Sequence, residues 1–487
     1  MKKRLVIVGL LWALPAQAET FSKTFFSVIP QFQAGSPEKE TLFRDVFTNN
    51  TGRGCIFEVV GFGGKSRNSD DLARYFLPFG KSEILVTEAN ATNVADRDVD
   101  AVHLNINHLN RDFQSKVKFD FHQTFAGIGL AVRSQFTDDP TGWWLGASTP
   151  LMFVTNHAEL CETIENPGDT VEATRVGTVT DAFKQSIWNF GRIENCDHKK
   201  TGFADVELQL GYKWGEADEG HADIYVGVVI PTGNKPHGKW VFEPIVGNNQ
   251  HFGILFGGTI TKDLYATSKQ TLTFLLSTNG RYLFRNTQHR SFDLKDKHWG
   301  RYMEVYATLD AAQAAFNAAS VADGNHGSPG INVFTQEMRV TPGFSNQLNA
   351  ALVYKESWIT GELGYNLIAR QAEKTCLKCW NESAALVSVN QDGSTTKFRT
   401  INHAAVGDEG VGAVAQTYKP LTRCDLDISS AAHPAAVGHE LYASFGVRLG
   451  DSPNIVPLLS VGGSWEFASG NTYLDRWAVW AKVGVMF

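Results

Sequence analysis

The run YLDRWAVWAKVGVMF, residues 473–487, constrains the fold more than any other part of the chain. Taken in twos, Trp477, Val479, Ala481, Val483, Val485 and Phe487 fall on one side; Arg476, Ala478, Trp480, Lys482, Gly484 and Met486 fall on the other. A period of two marks a strand, because successive side chains of extended backbone point to opposite faces. One side is wholly apolar, while the other carries two cations. Such a strand suits a sheet with lipid on one side and a wet, enclosed interior on the other.

The pattern recurs. Lys116, Lys118, Asp120 and His122 interleave with Val117, Phe119 and Phe121. Asp205, Glu207, Gln209 and Lys213 interleave with Ala204, Val206, Leu208, Leu210, Tyr212 and Trp214. Similar runs lie near 99–108, 126–136, 143–154, 221–231, 250–261, 264–276, 280–288, 331–341, 346–355, 358–369, 438–449 and 454–467. Each is roughly 9–14 residues, the reach of a tilted strand across an outer membrane. After residue 18 no stretch offers the roughly 18 apolar residues of a membrane helix, which excludes a helical membrane protein. A length of 487 residues would fill about three soluble domains, yet no Pro/Ser-rich linker, charge block or internal repeat divides it. The fold class is all-β: a single transmembrane antiparallel β-barrel over residues 98–487. It has about 14 strands, with 12–16 compatible with the pattern.

At the other end, Met1-Lys2-Lys3-Arg4, an apolar core to Leu14, Pro15 and the triplet Ala16-Gln17-Ala18 predict a cleaved signal peptide over 1–18. Without it the 44 Lys and Arg residues fall to 41 against 51 Asp and Glu, and the formal charge moves from −7 to −10. An acidic chain argues against nucleic acid as a partner. Residues 19–97 do not alternate cleanly. They hold a polar run at 35–45, an apolar strand at 56–60, a Gly-rich turn at 61–64 and a short helix at 70–77. Two readings stay open for them: a periplasmic extension or first hairpin, and a plug filling the lumen.

Compact turn chemistry at 137–142, 216–220, 261–263 and 450–454 contrasts with long segments at 155–201, 232–249 and 370–437. Counting strands back from Phe487 puts the turns at its own end and the long segments at the other, as outer-membrane barrels have them. The connection 289–330, with a helical stretch at 309–320, counts to the turn side and breaks the rule.

Few constellations suggest chemistry, and no cofactor or metal centre is predicted. The run from Val59 to Ser66 follows a strand as a phosphate-binding loop would, but that motif requires Gly where Val59 stands. Export favours disulfides among Cys55, Cys161, Cys196, Cys376, Cys379 and Cys424, with Cys161–Cys196 the plausible loop pair and three pairings open to the rest. Zinc on Cys376, Cys379 and Cys424 with His403 or His433 is the alternative there, without recognisable ligand spacing. His103, His108, His122, His251 and His439 are scattered and lack a positioned partner, so no enzyme is predicted. The charges assigned to the lumen are Lys116, Lys118, Asp120, Arg133, Asp205, Glu207, Lys213, Asp223, Lys355, Glu362, Arg448, Arg476 and Lys482. They set the field a permeating solute meets, or cross-brace the wall, or both.

A last strand closing on Phe487 resembles the assembly signal of bacterial outer-membrane barrels, which implies recognition by the outer-membrane assembly machinery. The strand Tyr225-Val-Gly-Val-Val-Ile-Pro231-Thr232-Gly233-Asn234, followed by Gly253-Ile-Leu-Phe-Gly-Gly258, resembles the outer-membrane barrels of aromatic-degradation pathways, relatives of the long-chain fatty-acid transporters. That resemblance implies uptake of small hydrophobic compounds through a barrel with an amino-terminal plug. The cysteine-bearing loops and long amino-terminal segment depart from the family. The expectation is an outer-membrane porin or substrate channel for small solutes, in contact with outer-membrane lipid and possessing an amino-terminal gate. The alternative is a surface adhesin that uses the barrel as an anchor and disulfide-pinned loops as its binding surface; a secreted soluble β-protein is a third reading. Oligomeric state is left open.

Overall fold

The computed structural model describes residues 20, 21, 23, 24, 54–88, 90–93, 96–137, 141–216, 220–295, 298–311, 327–387, 418–449, 455–468 and 470–487. The expected leader and the helical stretch beyond residue 311 lie outside the described residues, as does His403.

Twelve strands form the barrel: β1 (Gly54–Ser66), β2 (Gln114–Gln135), β3 (Gly142–Asn166), β4 (Val206–Glu216), β5 (Gly220–Ile230) and β6 (Gly253–Ala266), then β7 (Gln270–Leu283), β8 (Gly343–Glu356), β9 (Ile359–Arg370), β10 (Ala436–Arg448), β11 (Val456–Ala468) and β12 (Arg476–Met486). Each pairs antiparallel with its neighbour in sequence, and β1 pairs with β12, so the hydrogen-bonded circuit closes. Closure leaves no strand edge within the circuit, which is what a sheet crossing lipid requires. The count is the lower limit of the expected range.

The barrel therefore begins at Gly54, not at residue 98. In β1 the inward residues Ile56, Val60 and Phe62 are as apolar as outward Phe57 and Val59, so the sequence does not alternate in polarity. The runs near 99–108 and 331–341 are not barrel strands; Thr335–Thr341 joins a small sheet with Asn286–Ser291 and Lys374–Leu377. Without the 331–341 run in the count, the connection between β7 and β8 moves to the long-loop end, and the exception disappears. The expected turn at 261–263 lies inside β6, and the chain reverses at 267–269 instead.

Apart from the connection 469–475 between β11 and β12, the short connections share an end with Phe487, whose N–H and carbonyl bond Cys55. All long connections leave the opposite rim, and there β2 and β3 run on past their neighbours. Above β4, β3 pairs instead with a short edge strand, Cys196–Phe203. Low on β2, Ile128, Leu130 and Val132 face outward and Gly127, Gly129, Ala131 and Arg133 inward. Higher up, outward positions become Lys116, Lys118, Asp120 and His122, while Val117, Phe119 and Phe121 point inward and are buried. The parity never changes; the surroundings do.

Those inward rings floor a cap that closes the long-loop rim. Helix α1 (Ser69–Phe76) places Leu72, Tyr75 and Phe76 on the cap core, with Asp70 and Asp71 in its first turn, where acidic groups suit the helix dipole. Asn68 ties its start to the β11–β12 loop through the Tyr473 carbonyl and the Asp475 N–H. Trp299 stacks on Phe119 and donates its indole N–H to the Phe76 carbonyl. Burying Phe119 and Phe121 stabilises the cap by about 2 kcal/mol each. Thr20, Lys23 and Thr24 are also held here, by Asn471, Tyr75 and Ser430, whereas Gly54 starts at the opposite rim.

Candidate functional site

Inside the barrel, lateral pairing aligns one lumen-facing side chain from each of nine strands. From β12 to β4 the file runs Arg476, Glu466, Glu440, Asn366, Asn349, Ser277, Thr259, Asp223 and Lys213, each the register partner of the next. Hydrogen bonds join much of it. Arg476 grips Glu466 through Nε at 3.0 Å and Nη2 at 2.7 Å. Asn366 donates to Glu440 at 3.0 Å. Asn349 donates to the Tyr442 hydroxyl at 2.9 Å, and that hydroxyl to Glu362 at 2.8 Å. Asp223 accepts the Thr259 N–H at 2.9 Å and pairs with Arg133 at 3.3 Å.

Further ion pairs brace the wall: Arg281 with Glu207 at 2.7 Å, and Lys482 with Glu58 at 3.1 Å. Rings fill space between them. Arg133 lies over Trp144 at 3.7 Å, a cation–π contact, and Trp144 in turn covers Gly211, where a Cβ would come within 2.3 Å of the indole. Tyr442 covers Gly364 in the same way. Most lumen carboxylates and cations, from Glu58 (0%) to Lys482 (6%), are almost unexposed, while Lys355 and Arg448 near the Phe487 rim are half-buried.

Above the file a neck of charges meets the cap. Arg290 pairs with Glu373 at 3.1 Å, and Glu373 accepts the His433 N–H at 3.0 Å. Burial pushes the His433 imidazole down to about 4, leaving it neutral at neutral pH. Burial alone would raise Glu373, but Arg290 and His433 hold its carboxyl below the ordinary range.

Of the charges assigned to the lumen, Arg133, Glu207, Lys213, Asp223, Lys355, Glu362, Arg448, Arg476 and Lys482 face inward by strand parity. Asp205 sits just above β4, accepting from Asn248. Lys116, Lys118 and Asp120 do not line it. They lie on the outer face of the protruding part of β2, where Lys116 pairs with Glu165 and Lys118 with Asp70 at 2.9 Å. Their alternation is real, but there water is outside and the cap core inside.

All six cysteines are free. Cys55 lies at the Phe487 rim, remote from the others. Cys196 is the register partner of Ala158, so Cys161 stands further along β3 and on the other face of the sheet. The expected Cys161–Cys196 bridge is therefore excluded, and Cys376, Cys379 and Cys424 are likewise unbridged. His433 serves the neck rather than a zinc site.

Glu440, Glu466, Asn349, Asn366 and Arg281 were not singled out by sequence. Period-two position alone would include them, but strand register, which makes them neighbours, is not written in any one segment.

No family model and no curated protein matches the chain. Among solved structures it is similar to an outer-membrane channel from Pseudomonas putida F1, at 9% identity and TM-score 0.35, covering 95% of this chain and 100% of that one. A Pseudomonas aeruginosa FadL homologue shows 7% identity, TM-score 0.27 and coverages of 97% and 98%. OprD of Pseudomonas aeruginosa shows 8%, 0.19, 90% and 97%. The class follows from the molecule itself: a closed antiparallel circuit with an apolar outer belt and a polar lumen is a transmembrane β-barrel of the outer-membrane type.

Proposed function

We propose that this protein is an outer-membrane channel for small polar solutes, closed in the present state by its cap. The observation that carries the reading is the file from Arg476 to Lys213, a continuous band of hydrogen-bonding groups around the lumen wall. Mixed amides and paired charges offer exchangeable partners to a hydrated solute, and no single sign dominates. The small hydrophobic substrates implied by family resemblance fit this wall poorly. The amino-terminal plug belongs to the same proposal, supported by the anchoring of Thr20, Lys23 and Thr24 in the cap while Gly54 begins at the other rim. Export through the 1–18 leader and insertion directed by Phe487 complete it.

In planar bilayers the full chain should give brief, infrequent single-channel steps, and Glu373→Gln, which weakens the neck, should make them frequent. Folded, inserted protein that gives no steps in either form overturns the channel reading.

One observation favours a second reading, the surface adhesin. Most charges of the lumen are buried, and the cap has a hydrophobic core of its own that would hold a rigid binding surface without disulfides. Silent bilayers would favour it.

A further inference from the structure

The edge strand Cys196–Phe203 carries a feature the channel does not use. Glu194, Cys196 and His198 each offer one ligand atom, and these atoms all lie within 4.8 Å of one another. They are the sole such group among the described residues. The period of two explains the convergence: Cys196 and His198 project from the same face of one strand, with Sγ and Nε2 3.9 Å apart. Asn195, with φ at +54°, turns the chain just before the strand and brings Glu194 in from the loop. Asn195 is itself locked to Leu160 of β3 by side-chain bonds in both directions, 3.0 and 3.2 Å. His198 is seated against Trp240, with ring centroids 4.4 Å apart. Oε1 of Glu194 accepts from Arg192 at 2.9 Å, which orients the carboxylate and leaves its second oxygen to act as a ligand.

We infer that Glu194, Cys196 and His198 form a binding site for a zinc-class divalent cation, with water in the remaining position. One thiolate, one imidazole and one carboxylate in a tetrahedral shell is a ligand set for zinc rather than for calcium or magnesium, which take oxygen alone. On binding, the Cys196 thiol gives its proton to solvent and its sulfur lone pair to the metal; no redox step is involved.

The position gives the ion a structural consequence. Ile193, next to Glu194, is buried in the cap core and its N–H bonds the Phe183 carbonyl. Cys196 and His198 belong to the strand that extends the barrel wall. A bound ion would clamp cap to wall at the edge of the sheet, where pairing stops.

Co²⁺ is the probe, because a thiolate ligand announces itself by a sulfur-to-cobalt charge-transfer absorption. The full chain in detergent should bind a single Co²⁺ with that band, and Zn²⁺ should displace it. Cys196→Ser should abolish the band, and His198→Gln should weaken binding by more than the roughly 10–100-fold that loss of an outer-shell partner costs. Cys161→Ser, on the other face, should bind like the parent. Heat-modifiable electrophoretic mobility verifies that each variant is folded. A parent without the band, or a band that survives in Cys196→Ser, overturns the site.

Discussion

Strand β2 runs through two different surroundings. Low on β2, Ile128, Leu130 and Val132 face lipid while Gly127, Gly129, Ala131 and Arg133 face the lumen; higher up, Lys116 and Lys118 point out to water while Val117 and Phe119 point into a hydrophobic core. No bulge or register slip separates the halves between Ser115 and Gln135. Polarity therefore does not define inside and outside; parity along the strand does, and polarity reports only which medium each face meets.

The contrast should break first at Phe119. Phe119→Lys puts a charge into the cap core, and with the loss of the ring it should cost about 4 kcal/mol or more, seen as protease cleavage in 67–113 while the barrel stays resistant. Lys118→Gln, one residue away, gives up only the exposed pair with Asp70 and should leave the protease resistance of the cap at the parent's level.

In the lumen, Arg476→Met strands the buried Glu466 carboxylate and should cost about 3–5 kcal/mol by urea titration in vesicles. Adding Glu466→Leu should restore most of it, because a buried pair is costly chiefly when broken.

Acid distinguishes the two regions again. His433 has a pKa of about 4 in the folded cap, against about 6.5 in an unfolded chain. Between those values the unfolded chain takes up a proton that the cap refuses. The stabilisation is complete above about pH 6.5 and is lost as pH falls toward 4, by roughly 3 kcal/mol. Glu373, held low by Arg290 against the effect of burial, adds to the loss in the same direction. Hydrogen exchange in the cap should rise across that window and that of the barrel should not, and His433→Gln should flatten the dependence.

Leu130→Arg tests the lower outer face. It should cost about 2–4 kcal/mol in lipid, whereas an arginine at Lys118 should be neutral.

How much of this is legible in sequence follows from the same contrast. The last strand is fully legible: Trp477, Val479 and Val483 are exposed to the outside, and Arg476 and Lys482 face the lumen. Lys116, Lys118 and Asp120 mislead because alternation shows two faces without naming their media. Strand β1 is hidden because its inner face carries Ile56, Val60 and Phe62 beside the single charge of Glu58, so it is hardly more polar than the outer face. Cys161 and Cys196 look like loop partners until register places them on opposite faces. The file from Arg476 to Lys213 depends on neighbours brought together by pairing, which no local pattern encodes, whereas Glu194, Cys196 and His198 stand at a spacing of two within one segment and need only a strand and a turn to converge.

The central claim is that β2 keeps one parity while its surroundings exchange. Spin labels at 116, 118, 120, 122, 128, 130 and 132, one per chain, in lipid vesicles test it most directly through collision with a water-soluble nickel chelate and with oxygen, which concentrates in lipid. The first four should favour the chelate and the last three oxygen, with a single crossover between 122 and 128. Two crossovers, or chelate access at 128, 130 and 132, would contradict it.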